Sequence, residues 1–350
     1  MTISSRTKRV LASLAGATVV LTALAACSPA DSAASGGTAT SGSGKVTDVT
    51  IQIDGSAVPY YAPLYEAADK GYFADNGLNV SFTYAQGSDI LQNVAAGNVQ
   101  FGFPNGDSVV TAKGKGVDVD VVHTTYQQGI GAVLFNKDTS GITGPADLKG
   151  KTIAVTDLGS PNYIQLQAIL KSAGLTVNDV TVKTIGTGAI VQALQSGQVD
   201  AIVFSRLRYF ALQSAGFPVG QILSDKYLPS FGNVLVTSPS FRKSNPAAVK
   251  GFDAALDKGL EYVIANPAAA VKDAIAKYAQ TFNGQEDAVT NVVKDVYIKD
   301  LWQSAETDKH GLGYGDLSRW QKAIDAQADY KLIDSSYSAK TLVVEPDALK

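Results

Sequence analysis

The fold is decided by Val58-Pro-Tyr-Tyr-Ala-Pro-Leu-Tyr-Glu-Ala-Ala-Asp-Lys-Gly-Tyr-Phe-Ala-Asp-Asn-Gly-Leu-Asn-Val80. Just before it, Val49, Ile51 and Ile53 alternate with polar residues, the period of a strand with one better-buried face, and Asp54-Gly-Ser56 ends the run. Pro59 and Pro63 suit a loop and a first helical turn, because neither position has to donate an intrahelical amide. Leu64, Ala67 and Ala68 then recur at helical spacing, and Gly77 supplies the stop before a second strand enters at Val80. The stretch therefore predicts strand, loop, helix, strand, with Tyr60 and Tyr61 at the strand-to-helix turn. In open α/β sheets ligands bind outside the carboxyl ends of strands, where helix N-termini present free amides. Two tyrosines there point to an apolar or aromatic ligand; the competing reading is a pair of core tyrosines with satisfied hydroxyls.

Working outward, the 350-residue chain is 45% hydrophobic and 17% charged, which is globular, and long enough for two cores. The formal charge of −3 shows no basic excess, which argues against a nucleic-acid partner. Cys27 is the only cysteine, so neither an intramolecular disulfide framework nor a thiolate zinc cluster is expected. Arg6, Lys8 and Arg9 precede an apolar run from Val10 to Ala26, the layout of an export signal over residues 1–26. The run ends in Leu24-Ala-Ala-Cys27, which resembles the lipobox of bacterial lipoproteins and implies a lipid on Cys27. Residues 27–45, mostly Ser, Ala, Gly and Thr, lack the apolar content to offset ordering and are expected to form a tether, so that the protein is exported and held at the outer face of the cell membrane.

Further along, the pattern repeats. Val80 to Tyr84, Val99 to Phe103 and Asp118 to Val122 read as strands, with Gln86-Gly-Ser-Asp89 and Pro104-Asn-Gly-Asp107 as loops capping the following helices. This puts Ser56, Gly87, Asn105 and Asp107 on the same rim as Tyr60. A first crossing between lobes is placed near Gln127, whose amide is expected, with those of Asn105 and Asn162, to offer donors and acceptors to a ligand, and the order then starts again. Thr152 to Val155 mirrors the first strand, and Asp157-Leu-Gly-Ser-Pro161-Asn-Tyr163 mirrors Asp54 to Tyr61. Leu91-Gln-Asn-Val-Ala-Ala-Gly97-Asn-Val99 finds its counterpart in Val191-Gln-Ala-Leu-Gln-Ser-Gly197-Gln-Val199. Two α/β lobes are implied, with rims that face each other across a small-molecule cleft. The expected division is residues 46–127 and 232–350 for one lobe and 128–231 for the other, with a return crossing near Phe231. Asp157, Ser160, Asn162 and Arg206 fall on the second rim, Arg206 as its cation.

His123 and His310 are far apart and lack metal-ligand or triad spacing. The glycine clusters at Gly186 and Gly311 lack the strand, helix and acidic context of a dinucleotide fingerprint, so no cofactor and no metal is expected. Asp54 and Asp157, at equivalent strand ends, are a formal acid–base pair; the plainer reading makes them loop-fixing aspartates.

Taken together, Pro63-Leu-Tyr-Glu-Ala67, Lys70-Gly-Tyr-Phe73, Gly77-Leu78, Ala96-Gly97, Asp147-Leu-Lys-Gly-Lys151, Gly197, Val199-Asp-Ala201 and Asn266-Pro267 occur in the order seen in periplasmic-type binding proteins. The chain resembles substrate-binding subunits of ABC importers for thiamine-precursor pyrimidines, riboflavin, aliphatic sulfonates, taurine and nitrate. The resemblance implies an α/β, two-lobed type II periplasmic-binding-protein fold, no catalysis, and delivery of a small-molecule ligand to a membrane permease with its ATPase. The pyrimidine-binding branch carries Asp-Trp after the first strand where this chain has Asp54-Gly55, and Val58 to Tyr65 looks closer to the flavin-binding branch. A small aromatic heterocycle, of flavin or thiamine-precursor type, is thus expected ahead of a sulfonate, taurine or nitrate. A pyrimidine-synthesising enzyme of the related branch is the remaining alternative, and the active-site histidine and cysteine-rich segment of that branch are not matched.

Overall fold

Apolar alternation and turn chemistry build ten strands in a computed structural model that describes residues 46–344; the signal, the lipobox with Cys27 and the tether lie outside the described residues. The first sheet contains β1 (Thr47–Asp54), β2 (Leu78–Ala85), β3 (Phe101–Phe103), β4 (Asp120–His123) and β10 (Leu235–Thr237), in the order β2-β1-β3-β10-β4. The second contains β5 (Gly131–Asn136), β6 (Thr152–Val155), β7 (Thr181–Thr184), β8 (Ala201–Ser205) and β9 (Val219–Leu223), in the order β7-β6-β8-β5-β9.

The two orders are one topology used twice. β1 pairs in parallel with β2 and β3, as β6 does with β7 and β8. In each sheet one antiparallel strand, β10 or β5, is contributed by the chain as it arrives from the other sheet. The internal echo extends to backbone conformation: Gly97 and Gly197 both close a helix at positive φ, 77° and 73°, a conformation that disfavours a Cβ.

Burial follows the strand and helix periods. Val49, Ile51 and Ile53 are at most 2% exposed and share a cluster with Phe252, Leu256, Leu260 and Val263, one stripe of the helix Pro246–Ala265. The second sheet has its own clusters on its two faces, one including Val133, Ile153 and Val203, the other Ala132, Ala154 and Ile202. Covering both faces with helices is what the continuous apolar runs of parallel strands require.

The chain leaves the first sheet after His123 and returns at Leu235, and the two passages are bonded to each other. Tyr126 N–H donates to the Asn233 carbonyl at 3.1 Å and Gly232 N–H to the Gln128 carbonyl at 2.8 Å. The Asp225 carboxylate accepts from Gly129 N–H at 2.9 Å, Ser230 N–H at 3.1 Å and the Arg319 guanidinium at 2.7 Å. Arg319 comes from the helix Leu317–Asp329, so one charge-assisted cluster ties both passages to the C-terminal part of the chain.

Candidate ligand-binding cleft

Because β1, β2, β3 and β6, β7, β8 end toward the same space, the loops at their carboxyl ends enclose a cleft. Its inner cavity is about 910 Å³ counted out to the open mouth. From the first sheet come Asp54 to Ser56, Val58, Tyr60, Tyr61, Gln86, Asn105, Tyr126 and Asn233. From the second come Gly131, Thr156, Ser160, Asn162, Gln165, Thr187, Phe204, Ser205 and Arg208.

One wall is aromatic. Pro59–Tyr61 form a single 3-10 turn before the helix Ala62–Asp69, which throws both tyrosines toward the cavity. The ring of Tyr60 stacks on Tyr297, centroids 5.0 Å apart at 13°. Tyr61 stands edge-on to Phe103 at 6.1 Å, and its hydroxyl donates to the Asp54 carbonyl at 2.7 Å. Tyr126 stands edge-on to Tyr297 at 5.5 Å, and Phe204 faces this wall from the second sheet's side of the cavity. Tyrosine is thus both wall and structure here: one face of Tyr60 and the hydroxyl of Tyr61 are already used.

The polar groups sit on helix starts. Asn105 caps the helix Gly106–Gly114 through Oδ1, which accepts from Asp107 N–H at 3.1 Å. Ser160 caps the helix Pro161–Ser172, accepting from Tyr163 N–H at 3.4 Å, and Asn162 donates to the Thr156 hydroxyl at 3.1 Å. Asp54 is the acid of the cavity. Burial, then the nearby Asp157 carboxylate, push its pKa up to about 7 against the pull of the Gly87 and Gly55 amides, so near neutral pH it is divided between acid and carboxylate.

Of the residues expected from sequence, Ser56, Tyr60, Tyr61, Asn105, Ser160 and Asn162 line the cavity; Gly87, Asp107, Gln127, Asp157 and Arg206 do not. Gly87 begins the helix Gly87–Ala95 behind Asp54, and its amide supports that carboxyl. Asp107 lies one residue inside its helix, with Asn105 the cap in its place, and is 2% exposed. Its Oδ2 accepts from Gln165 Nε2 at 2.7 Å, a bond between the two halves of the cleft. Gln127 points away, donating to the Thr124 and Tyr314 carbonyls at 2.6 and 3.1 Å. Asp157 fixes its own loop by accepting from Gly159 N–H at 2.8 Å.

Arg206 requires the largest correction. Its guanidinium reaches Asp300 at 3.4 Å, outside the cavity, and the cation in the wall is Arg208, two residues later and facing differently from the start of the helix Leu207–Ser214. Sequence reading also missed Tyr297, Tyr126, Gln165 and Phe204. Gln165 had a signal, lying one helical turn beyond Asn162. Tyr297 had none, because its segment reads as packing.

Elsewhere, His123 is buried behind the sheet, with Nε2 3.0 Å from Asp257 and Nδ1 2.8 Å from the Thr125 hydroxyl. Among the described residues no group of three or more His, Cys, Asp or Glu side chains is placed to hold a metal ion.

Two matched α/β lobes closing on an apolar and polar cleft define the generic fold of periplasmic binding proteins. Residues 58–270 match the NMT1/THI5-like family, and the chain belongs to that family. It is 28% identical over 309 residues to the riboflavin-binding protein RibY of Chloroflexus aurantiacus, covering 87% of each chain. It is 29% identical over 240 residues to 4-amino-5-hydroxymethyl-2-methylpyrimidine phosphate synthase of Aspergillus parasiticus, covering 64% of this chain and 69% of the synthase. Among solved structures, the alkanesulfonate-binding protein SsuA of Xanthomonas axonopodis pv. citri, bound to MOPS, superposes with a TM-score of 0.66 at 17% identity, over 86% of this chain and 99% of that one. The fold is that of periplasmic binding proteins, and the relatives include substrate-binding proteins beside a synthase.

Proposed function

We propose that the protein is a non-catalytic binding component that captures a small aromatic heterocycle, of flavin or thiamine-precursor pyrimidine type, and hands it to an ABC permease. The observation that carries this reading is the aromatic wall of Tyr60, Tyr61, Tyr126 and Tyr297 facing Phe204 across the cavity. A ring held there gains offset aromatic contacts of roughly 0.5–1.5 kcal/mol beyond the area it buries. Asn105, Asn162 and the Asp54 carboxyl offer the donors and acceptors that a heterocycle's edge needs. RibY, matched over most of both chains, supports the flavin branch.

A second reading, binding of a sulfonate, taurine or nitrate, is favoured by one observation, the cation in the wall, and with Arg208 in the role expected of Arg206 it remains testable. A panel of flavins, pyrimidines, sulfonates and anions is screened by melting shift, since binding to the folded state raises its stability. Calorimetry then compares Tyr60→Ala, Tyr61→Ala and Arg208→Ala. For riboflavin, both tyrosine variants are expected to weaken binding more than Arg208→Ala. Tight taurine or nitrate binding lost only with Arg208→Ala overturns the heterocycle.

Among the described residues no helix is long and apolar enough to cross a membrane. We infer export and anchoring through lipid on Cys27. Cys27→Ser should shed the protein from membranes or leave it unprocessed, and a variant that stays bound with the same N-terminus excludes the anchor.

A further inference from the structure

Outside the inner cavity, and sharing Gly55, Ser56, Val58, Gln86, Thr187 and Arg208 with it, lies a second chamber of about 1240 Å³ counted to its mouth. Its lining is otherwise made of glycine, alanine, aliphatic, threonine and glutamine residues, with Phe282 on one side. Among the described residues of that lining, Arg208 is the only charged one. Among the described residues it makes no ion pair, whereas its neighbour Arg206 is taken by Asp300. The Arg208 guanidinium carbon lies 5.5 Å from the centroid of Phe204, a cation–π contact that holds it at the junction of the two spaces.

The chemistry of that position is specific. A guanidinium presents a planar fork of donors matched to phosphate or carboxylate. Half-buried without a counter-ion, that of Arg208 has lost part of its hydration and gained only the face of Phe204, a cost that an incoming anion offsets. The other charged residue in the inner wall, Asp54, forms no ion pair with it, so the two charges stay free to read separate parts of one ligand.

We propose that Arg208 reads an anionic group attached to the ligand by a chain that runs from the ring's site into the outer chamber. The substrate class is then a heterocycle bearing a phosphate ester or carboxylate, bound in preference to its neutral parent and to a free inorganic anion. This rests on the aromatic-ring reading of the inner cavity given above.

The test is calorimetry with riboflavin, riboflavin 5′-phosphate and inorganic phosphate on the wild type, Arg208→Gln and Arg208→Lys, each variant first shown to melt like the wild type. The wild type is expected to bind the 5′-phosphate about tenfold or more tighter than riboflavin, the scale of a charge-assisted hydrogen bond. In Arg208→Gln that ratio falls to about one, and Arg208→Lys restores part of it, because lysine keeps the charge and loses the fork. Added salt weakens the 5′-phosphate and not riboflavin. Equal affinity for the two flavins in the wild type, or a preference that survives in Arg208→Gln, overturns the role of Arg208 while leaving the ring site standing. Binding of neither flavin, with or without binding of inorganic phosphate, overturns the role of Arg208 and the flavin form of the ring site, and the pyrimidines of the melting screen then decide whether the ring site itself stands.

Discussion

Asp107 carries a consequence that belongs to single residues. Its Oδ2 is bonded to Gln165, but its Oδ1 and the Oε1 of Gln165 are both buried without a partner, two acceptor oxygens on one contact. Burial first, and then the Asp225 charge, push the Asp107 pKa up to about 7, against the nearby Ser230 hydroxyl, the Gln165 amide and the charge of Arg319. A pKa above its unfolded value means that the folded state binds the proton more tightly. The stabilisation is complete below the unfolded value of 3.8, decays as the pH rises through the window, and is gone above about 7. Asp107→Asn stays neutral, still accepts from Gln165, and brings an N–H donor to a site where two oxygens lack one. Its melting temperature should fall less than that of the wild type between pH 5 and 8 and lie above it at pH 8, the steepest difference in slope approaching about 1.4 kcal/mol per pH unit. Asp54 titrates in the same range in both proteins, so the difference between the two curves is the quantity read; parallel curves contradict the assignment. Placement in the cavity wall was legible where a strand end runs into a helix start, as at Tyr60 and Asn162. It failed at Arg206, because a two-residue step along a helix turns a side chain by more than half a circle, and no strand-end pattern fixes which phase meets the cleft.

At the level of elements, strands were the most legible. β1, β5, β6 and β9 lie within a few residues of their sequence patterns: β5 and β6, buried on both faces, leave unbroken apolar runs between turn residues, and β1 alternates buried with half-buried positions. Helix starts were less so. The helix expected from Ile90 with Asp89 in its cap begins instead at Gly87, with Gln86 at the cap position and no side-chain capping bond, so Asp89 falls in the first turn. The helix expected to run to Gly77 is broken: it ends at Asp69, Gly71 turns at a φ of 78°, and a short second helix, Tyr72–Asp75, follows. The segment Val293–Trp302 was not legible at all. It is a π-helix of 10 residues continuing the helix Glu286–Val292, and a wider turn is not encoded by any simple apolar period. This changed the functional picture, since that segment holds Tyr297 against Tyr60 and extends Asp300 toward Arg206.

The whole molecule was legible through its repetition, because a duplicated order of strands, turns and glycines constrains topology more tightly than any single motif. The same duplication supplies the last prediction. Residues 128–231 join the rest of the chain by two passages, and we propose that these are the hinge of a closing cleft. Besides the passages themselves, Gln165 to Asp107 and Arg206 to Asp300 link the two halves in the structure. The Arg206 pair, at 3.4 Å with Asp300 half exposed, is worth less than about 1 kcal/mol, too little to hold the cleft shut alone. A ligand touching both Tyr60 and Arg208 adds contacts that exist only in the closed form, and differential contact is what shifts such an equilibrium. Small-angle scattering should therefore show the protein compacting when riboflavin, or whichever compound of the panel raises its melting temperature, is added. Arg206→Ala, which leaves the cavity wall intact, should widen the ligand-free form further, reach the same compact form at saturation, and weaken affinity by less than about tenfold. An unchanged radius of gyration at saturating ligand, in both proteins, would mean that the cleft is preformed and that the ligand enters it without any movement at the passages.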